Sequence, residues 1–388
     1  TSDWVKWNAQ AVGHADDAAC PPVPRTLNMN RLGALLTGEA QPAVHSLYVY
    51  NANPVASTPN ASKTIEGLMR DDLFTVVHEL FETDTARYAD IILPATSQLE
   101  QVDLHKPYGH VSLQYNNAAI EPLGEARSNW DVLRALAARM GFTESWLQDD
   151  AEAVIREVLD ASRANNPALQ AITLEDLQRE GTLQLPFPEN ERVPFADGHF
   201  RTPSGKVELY SEQAAAKGYD PIPGWDAEVE GYQEPVAGES GQTEPRSAGS
   251  SELAALPLVS AGAHHFISSS FANVPTLKTK EGVPTLHIHP DDARVRGIQH
   301  GQMVRLSNER GWCRMVADVS DAVRPGVLAA ESVWWPKYSP DQRNVNWTTS
   351  DRLADFNGGS TFYTNLITVT PDENVADLTT ADSLVAHD

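Results

Sequence analysis

Cysteine is nearly absent from this chain of 388 residues, which has only Cys20 and Cys313. Two cysteines are too few for a disulfide scaffold, a cysteine-ligated iron–sulfur cluster or a cysteine-rich zinc site within the chain. We expect both thiols to be free, with pairing of the two as the alternative. No apolar run approaches the roughly 18 residues of a transmembrane helix, so we expect no membrane span. A basic-then-apolar signal peptide is also lacking at residue 1.

Positive charge is scarce as well, because 29 Lys and Arg residues stand against 53 Asp and Glu residues, for a formal net charge of −24. Proteins that bind nucleic acid neutralise its phosphates with Lys and Arg, so we exclude nucleic acid as a partner. A high-salt habitat and a bias in base composition would each give this balance. The charge bears on solubility and not on the fold.

The first part of the chain alternates strand and helix patterns. Apolar runs of strand length occur at residues 44–50, 73–77 and 90–93, and a helical pattern lies at 60–70. An irregular lead-in with one helix at Asn28–Leu36 precedes them. This order predicts parallel strands joined by crossovers, with both faces of the sheet covered.

The middle of the chain predicts three helices, at 128–141, 143–164 and 173–181. Ser128 and Gly141 are suited to cap the first of them. Its side chains Leu133, Leu136 and Met140 have helical spacing, so we expect them to face a core.

Two later segments contain few regular patterns. Phe200–Tyr210 is predicted to be a β-turn leading into a strand. Its Ser204-Gly205-Lys206 lacks the glycine spacing of a phosphate-binding loop, so we interpret it as a structural turn. Residues 226–255 are rich in Glu, Gly, Ser and Pro with almost no large apolar side chains. That composition predicts a mobile linker and a domain boundary.

The last part of the chain predicts a closed β-barrel. Short apolar runs separated by turn residues lie at 256–261, 285–289, 303–307, 312–319 and 327–332. Pro290–Gly297 is typical of a compact helix, with Pro in its first turn and Gly at its end. Residues 308–311 are suited to a hairpin turn.

Three runs of the first part together carry a family resemblance. Tyr50-Asn51-Ala52-Asn53-Pro54, Val77–Ala86 and Ala89–Ala95 resemble the molybdopterin oxidoreductases, the dimethyl-sulfoxide-reductase family. The resemblance implies an α/β Rossmann-like three-layer domain that cradles the guanosine of a pterin dinucleotide. It implies cofactor contacts from the residues that follow the strands: Asn51, Asn53, Glu79, Thr83 and Asp84. Ligands of open α/β sheets do lie beyond the carboxyl ends of strands; the alternative is an ordinary turn and solvated loop acids.

From Pro257 onward the chain resembles the dinucleotide-binding domain of the same family, which is an all-β double-psi barrel. The loop Ser260–Ser270, the segment Asn344–Thr348 and the approach to the final strand match it. The resemblance implies that these segments contribute further cofactor contacts: His264, His265, Ser269, Asn346, Phe362 and Tyr363. A zinc or copper site at His264-His265 or at His287 and His289 is the alternative. We do not adopt it because no third ligand is evident.

These matches predict five segments: a partial Rossmann-like domain at 1–127, a mixed connecting segment at 128–225, the linker at 226–255, the barrel at 256–375 and a tail at 376–388. The resemblance implies two molybdopterin guanine dinucleotides and a molybdenum or tungsten ion. The metal ligand and any iron–sulfur cluster would lie in an N-terminal half or companion subunit absent from this sequence. An electron-transfer subunit would be a further partner.

Three functions therefore remain open at this point. The chain is expected to be part of a molybdenum enzyme, inactive alone, that carries out two-electron redox or oxygen-atom transfer. A non-catalytic structural relative in an electron-transfer complex and a generic nucleotide-binding module are the alternatives. The residues indicate no catalytic group, substrate or compartment.

Overall fold

Short apolar runs form the first sheet of this computed structural model. The structure describes residues 25–106, 109–163, 166–186, 193, 195–222, 224, 254–356, 358–363 and 365–372. The first three strands are β1 (Ser46–Tyr50), β2 (Phe74–Glu79) and β3 (Ile91–Pro94). They form a sheet in the order β1-β2-β3, at the positions that the sequence predicts.

The helices of this region pack closely through glycine. Helix α1 (Leu32–Ala34) lies between a 3-10 turn (Met29–Arg31) and a π-helical turn (Leu35–Glu39). Helix α2 (Pro54–Ser57) follows β1, and α3 (Ala61–Leu68) precedes β2. A Cβ atom on Gly67 would lie 2.4 Å from Cβ of Leu36, which is closer than carbon atoms can approach. The absence of a side chain at Gly67 therefore sets the distance between α3 and the π-helical turn.

Two compact units divide the described chain. One contains His78–Phe81 and Ile92–Ser211, and the other contains Leu27–Val77, Glu82–Ile91 and the residues from Glu212 onward. The barrel and most of the segment with β1 therefore belong to the same unit. Among the described residues, no helix is long and apolar enough to span a membrane.

The first unit is built on a small antiparallel sheet. Strands β4 (Asp103–His105), β5 (Ser112–Asn116) and β6 (Thr182–Gln184) pair in that order. Helices α4 (Asn129–Met140), α5 (Ala151–Arg163) and α6 (Leu174–Glu180) belong to the same unit. Fully buried leucines fill its core: Leu113, Leu159, Leu169, Leu174, Leu177 and Leu185. The capping box of Thr173 and Asp176 begins α6.

Three predictions for this unit are wrong in part. Ser128 and Gly141 cap α4 as predicted, but Leu133, Leu136 and Met140 are exposed. They line an open cavity of about 400 Å³, because helical spacing shows that one face is apolar but not that anything covers it. The helix predicted to begin at 143 begins at Ala151, after a 3-10 turn. The turn near Gly205 is present, but the described residues of 200–210 include no strand.

Six strands close the barrel in the second unit. They are β7 (Leu256–Gly262), β8 (Thr285–Ile288), β9 (Met303–Asn308), β10 (Gly311–Val319), β11 (Leu328–Ser332) and β12 (Asn365–Pro371), in the order β10-β8-β11-β7-β12-β9. The pairs β10–β8 and β11–β7 are parallel, and the other pairs are antiparallel. The closed barrel is confirmed, whereas its double-psi topology and the Rossmann-like assignment stay predictions.

Alternation along the strands fills the barrel. On β10 the side chains of Cys313, Met315 and Ala317 are buried in its core. Burial raises the pKa of the Cys313 thiol to about 12, so the thiol stays protonated. Among the described residues, the unit's remaining α-helices are α7 (Glu212–Ala216), α8 (Pro275–Glu281) and α9 (Pro290–Arg296). As predicted, α9 ends at Gly297 and the hairpin turn joins β9 to β10. Cys20, the predicted linker as far as residue 253, and the tail lie outside the described residues.

Candidate functional site

Asn53 and Asp84, both predicted from the sequence, are bonded to each other in the interior of the second unit. Nδ2 of Asn53 donates to Oδ2 of Asp84 at 3.0 Å. Oδ1 of Asn53 accepts from the hydroxyl of Thr85 at 2.9 Å. Asn53 is 3% exposed and Asp84 is 2% exposed. A buried carboxylate is tolerated only when hydrogen bonds replace its water, so this pairing fixes the segment between β1 and α2.

Lys337, which the sequence analysis did not single out, completes the environment of Asp84. Its backbone N–H donates to Oδ1 of Asp84 at 2.8 Å, and its ammonium group donates to the carbonyl of Glu82 at 2.8 Å. Burial lowers the pKa of Lys337, although Asp84 and Glu82 act in the opposite direction. We call Asn53, Asp84, Thr85 and Lys337 the Asp84 cluster; it ties residues far apart in sequence into one structure.

Asn346 lies on a second contact to the same segment. Nδ2 of Asn346 donates to the carbonyl of Ala56, in α2, at 2.7 Å. Asn344 donates to the same carbonyl at 2.9 Å and to that of Trp334 at 2.7 Å. The structure therefore brings Asn53, Asp84 and Asn346 together, and each uses side-chain atoms to hold the backbone. These hydrogen bonds fix the shape of the loops, and the predicted contacts of the three residues with a cofactor stay predictions.

Two buried polar atoms beside these contacts have no hydrogen-bond partner among the described residues. They are the hydroxyl of Thr83, which precedes Asp84, and the indole N–H of Trp334. Buried polar groups in native proteins nearly always have a partner, and an orphaned one calls for an explanation such as a bound group. Both atoms belong to segments that the Asp84 cluster and Asn344 hold in place.

The loop after β7 contains three further predicted residues. The carbonyl of Ser269 accepts from the indole N–H of Trp335 at 2.6 Å. The backbone N–H groups of His264 and His265 donate to the carboxylate of Glu281, at 3.0 and 2.8 Å. The side chain of His264 is exposed, and Nδ1 of His265 lies 2.6 Å from Glu281. The loop is therefore held by partners on α8 and after β11.

The other predicted residues are not drawn into these contacts. Asn51 is exposed and adopts a left-handed backbone with φ of 50°. Phe362 and Tyr363 are exposed and contact each other edge to face, with ring centroids 4.5 Å apart. Glu79 lies in the first unit, where its carboxylate accepts from the N–H of Leu80 at 2.7 Å.

Several residues of the site were missed. Trp335 and Lys337 follow β11 in an aromatic run, Trp334 to Tyr338, which was a usable signal. Asn344 lies two residues before the predicted Asn346. Thr85 lies within Val77–Ala86, a run that carries the family resemblance, but it was not assigned a contact. Glu281 carries no sequence signal that separates it from other residues at helix ends.

Two of the histidines weighed as metal ligands, His265 and His287, have carboxylate partners. Nδ1 of His287 lies 2.9 Å from Asp318, and the ring of His289 caps α9. Among the residues that the structure describes, no group of three or more His, Cys, Asp or Glu side chains could hold a metal ion.

Two family models and several curated proteins match this chain. The family model for molybdopterin oxidoreductase matches residues 6–139, and the model for the molybdopterin dinucleotide-binding domain matches residues 256–366. The chain is 37% identical to "Probable oxidoreductase YoaE" of Bacillus subtilis over 89% of this chain and 47% of that protein. It is 28% identical to dimethyl sulfoxide reductase DmsA of Escherichia coli over 84% of this chain and 42% of that protein.

A solved structure supports the same fold. Acetylene hydratase from Pelobacter acetylenicus matches with a TM-score of 0.66 and 23% identity, over 89% of this chain and 47% of that chain. The chain thus spans about half the length of the relatives that it matches. The two family models and the curated relatives agree: this chain belongs to the molybdopterin oxidoreductase family.

Proposed function

We propose that this chain binds and orients molybdopterin guanine dinucleotide within a molybdenum or tungsten oxidoreductase. The proposal includes two dinucleotides, with completion of the enzyme by an N-terminal half or companion subunit that supplies the metal ligand and any iron–sulfur cluster. An electron-transfer subunit would be a further partner. The Rossmann-like and double-psi assignments, and boundaries at residues 127, 225 and 255, belong to the same proposal.

The observation that carries the proposal is the pair of unsatisfied buried atoms, Thr83 Oγ1 and Trp334 Nε1. A hydroxyl can donate and accept, and an indole N–H can donate. Both functions suit a pterin dinucleotide, whose rings, hydroxyls and phosphates offer many acceptors. The matched family models supply the identity of the group, and the orphaned atoms supply donors for it.

Some residues of the site hold its loops in place, and others are proposed to contact the cofactor. The Asp84 cluster and Asn346 fix the loops after β1 and β2 and the loop after β11. We propose that Thr83, Asn51, Glu79, His264, His265, Ser269, Phe362 and Tyr363 contact the cofactor. When bound, the metal dinucleotide would supply two-electron redox or oxygen-atom transfer, and the protein would supply binding, orientation and exclusion of water.

The test uses Thr83→Val, which removes the hydroxyl and keeps the shape of the side chain. Thr75→Val is the matched control, because the hydroxyl of Thr75 is also buried in the second unit without a partner among the described residues. Both variants should stabilise the cofactor-free chain or leave it unchanged, since each removes an unsatisfied polar group. Only Thr83→Val should lower the pterin and metal content of protein purified from its host, by about tenfold if one hydrogen bond to the cofactor is lost.

Pterin fluorescence and metal analysis measure the cofactor content of each variant. Urea unfolding of the same samples measures their stability. Equal pterin content in the two variants would show that the Thr83 hydroxyl does not contact the cofactor. A wild-type chain that carries neither pterin nor metal, in the presence of its partner subunits, would refute the proposal and favour a non-catalytic structural relative.

A further inference from the structure

Glu281 has an unusual position for a glutamate. It is the last residue of α8, where the negative end of the helix dipole disfavours a carboxylate. Its side chain is 2% exposed. Its oxygens accept from the backbone N–H groups of His264 and His265, at 3.0 and 2.8 Å, and lie 2.6 Å from Nδ1 of His265. The carboxylate therefore accepts hydrogen bonds from the loop after β7 and does not cap its own helix.

A second carboxyl group lies against the first. Glu331, on β11, is hydrogen-bonded to Glu281. Two carboxyl groups can share a hydrogen bond only when one carries a proton. Burial, followed by the charge and hydrogen bond of Glu281, raises the pKa of Glu331. Burial alone would raise the pKa of Glu281, but the bonds from His265 and His264 outweigh it and lower that pKa. Of the two groups, Glu331 therefore keeps its proton to the higher pH.

The charged groups around this pair come from four elements. His264 and His265 face Glu281 from the loop after β7. Nε2 of His287, on β8, lies 3.9 Å from Glu331. Asp318, on β10, lies 2.9 Å from Nδ1 of the same histidine and 3.3 Å from Nδ1 of His300. Lys278 lies on α8 itself, but its ammonium group sits over the ring of Tyr338, at 3.9 Å.

We propose that Glu281 is the positioning residue of the loop at residues 263–270, and that a proton on Glu331 keeps it in place. The inference rests on the proposed function, since this loop is one of the proposed cofactor contacts. With Glu331 protonated, Glu281 receives a hydrogen bond and keeps both backbone N–H groups. When Glu331, whose side chain is 36% exposed, ionises, its carboxylate repels the buried carboxylate of Glu281, and Glu281 releases the loop.

The direction of the pH dependence follows from the raised pKa of Glu331. The stabilising contribution of its protonated form is fully present below the ordinary pKa of a glutamate and is lost as pH rises through the raised pKa in the folded protein. The loop is thus predicted to be ordered at low pH and loosened at high pH. Affinity for the dinucleotide falls in the same direction.

Hydrogen exchange at the backbone amides of His264 and His265 measures how well their hydrogen bonds to Glu281 are maintained, with or without cofactor. It is measured on the full chain from about pH 5 to pH 8, with each rate divided by its intrinsic rate at that pH. Wild-type protection should fall over this range, because the pKa of Glu331 is raised and its ionisation at higher pH removes the hydrogen bond to Glu281. Glu331→Gln keeps a hydrogen-bond donor at every pH, so its protection should stay high and flat.

Two further variants complete the set. Glu281→Gln keeps only one acceptor oxygen and should lose protection by about tenfold at every pH. Glu66→Gln, an exposed position on α3, should follow the wild type. Wild-type and Glu331→Gln profiles that coincide, or full protection in Glu281→Gln, would overturn the inference. If protection behaves as described while the pterin content of Glu281→Gln equals that of the wild type, the positioning of the loop stands and its link to the cofactor fails.

Discussion

At the scale of single residues, Asp84 is a buried acid held by residues that are far apart in sequence. Its carboxylate is buried and receives one hydrogen bond from a side chain and one from a backbone N–H. The sequence predicted Asp84 and Asn53 as cofactor contacts, through a resemblance to a family motif. It could not show that they bond each other, because that depends on how the backbone brings Asn53, Asp84 and Lys337 together.

Asp84→Asn tests this environment. The new amide presents an N–H where an oxygen accepted a bond, so it faces a donor, either Asn53 or the N–H of Lys337. We expect the free energy of unfolding to fall by about 2–4 kcal/mol. Urea unfolding measures it. Asp71→Asn, an exposed change in the same unit, should stay within about 0.5 kcal/mol of wild type. A loss of the same size in both variants would mean that removing a negative charge, and not the broken contact, sets the effect.

At the scale of secondary-structure elements, strand patterns proved more informative than helix faces. Each predicted barrel strand was found, because alternation of buried residues is dictated by the barrel itself, as along β10. The apolar face of α4 was predicted equally well as a pattern, but its leucines are exposed. Strands β4 and β6, three residues each, are too short to leave a periodic signal. Sequence periodicity finds elements, and packing decides what they contact.

Gly67→Ala probes the packing of α3. Alanine favours helix by about 1 kcal/mol over glycine. The new Cβ would nevertheless lie 2.4 Å from Cβ of Leu36, which is 1% exposed and has no room to move away. We expect the clash to dominate and the variant to lose about 1–3 kcal/mol, measured by urea unfolding.

Gly359→Ala is the matched control, because a Cβ there would meet no atom within 4 Å and the backbone is not left-handed. It should be neutral or slightly stabilising. A Gly67→Ala variant more stable than wild type would show that α3 shifts to accommodate the methyl group.

At the scale of the whole molecule, the imbalance of 53 acidic against 29 basic residues is the dominant property. Self-repulsion of like charges destabilises a compact state, and salt screens it. We expect the melting temperature of the full chain to rise by several degrees between about 0.05 and 0.5 M KCl, measured by calorimetry. Sucrose at matched water activity controls for exclusion of solute from the surface. A melting temperature that is flat or falls with KCl would show that local ion pairs outweigh the net charge.

The contacts between the loops after β1 and β2 and the segment at residues 334–346 have a consequence for synthesis of the chain. Residue 337 leaves the ribosome about 250 residues after Asp84, at roughly 5–20 residues per second. For that interval Asp84 lacks one of its two hydrogen bonds and Ala56 lacks both of its amide donors. The segment around β1 cannot reach its final packing until the barrel is nearly complete, so this unit gains stability late. A chain that terminates before residue 337 would lack these hydrogen bonds, so its first part would be less stable and more readily degraded by proteases.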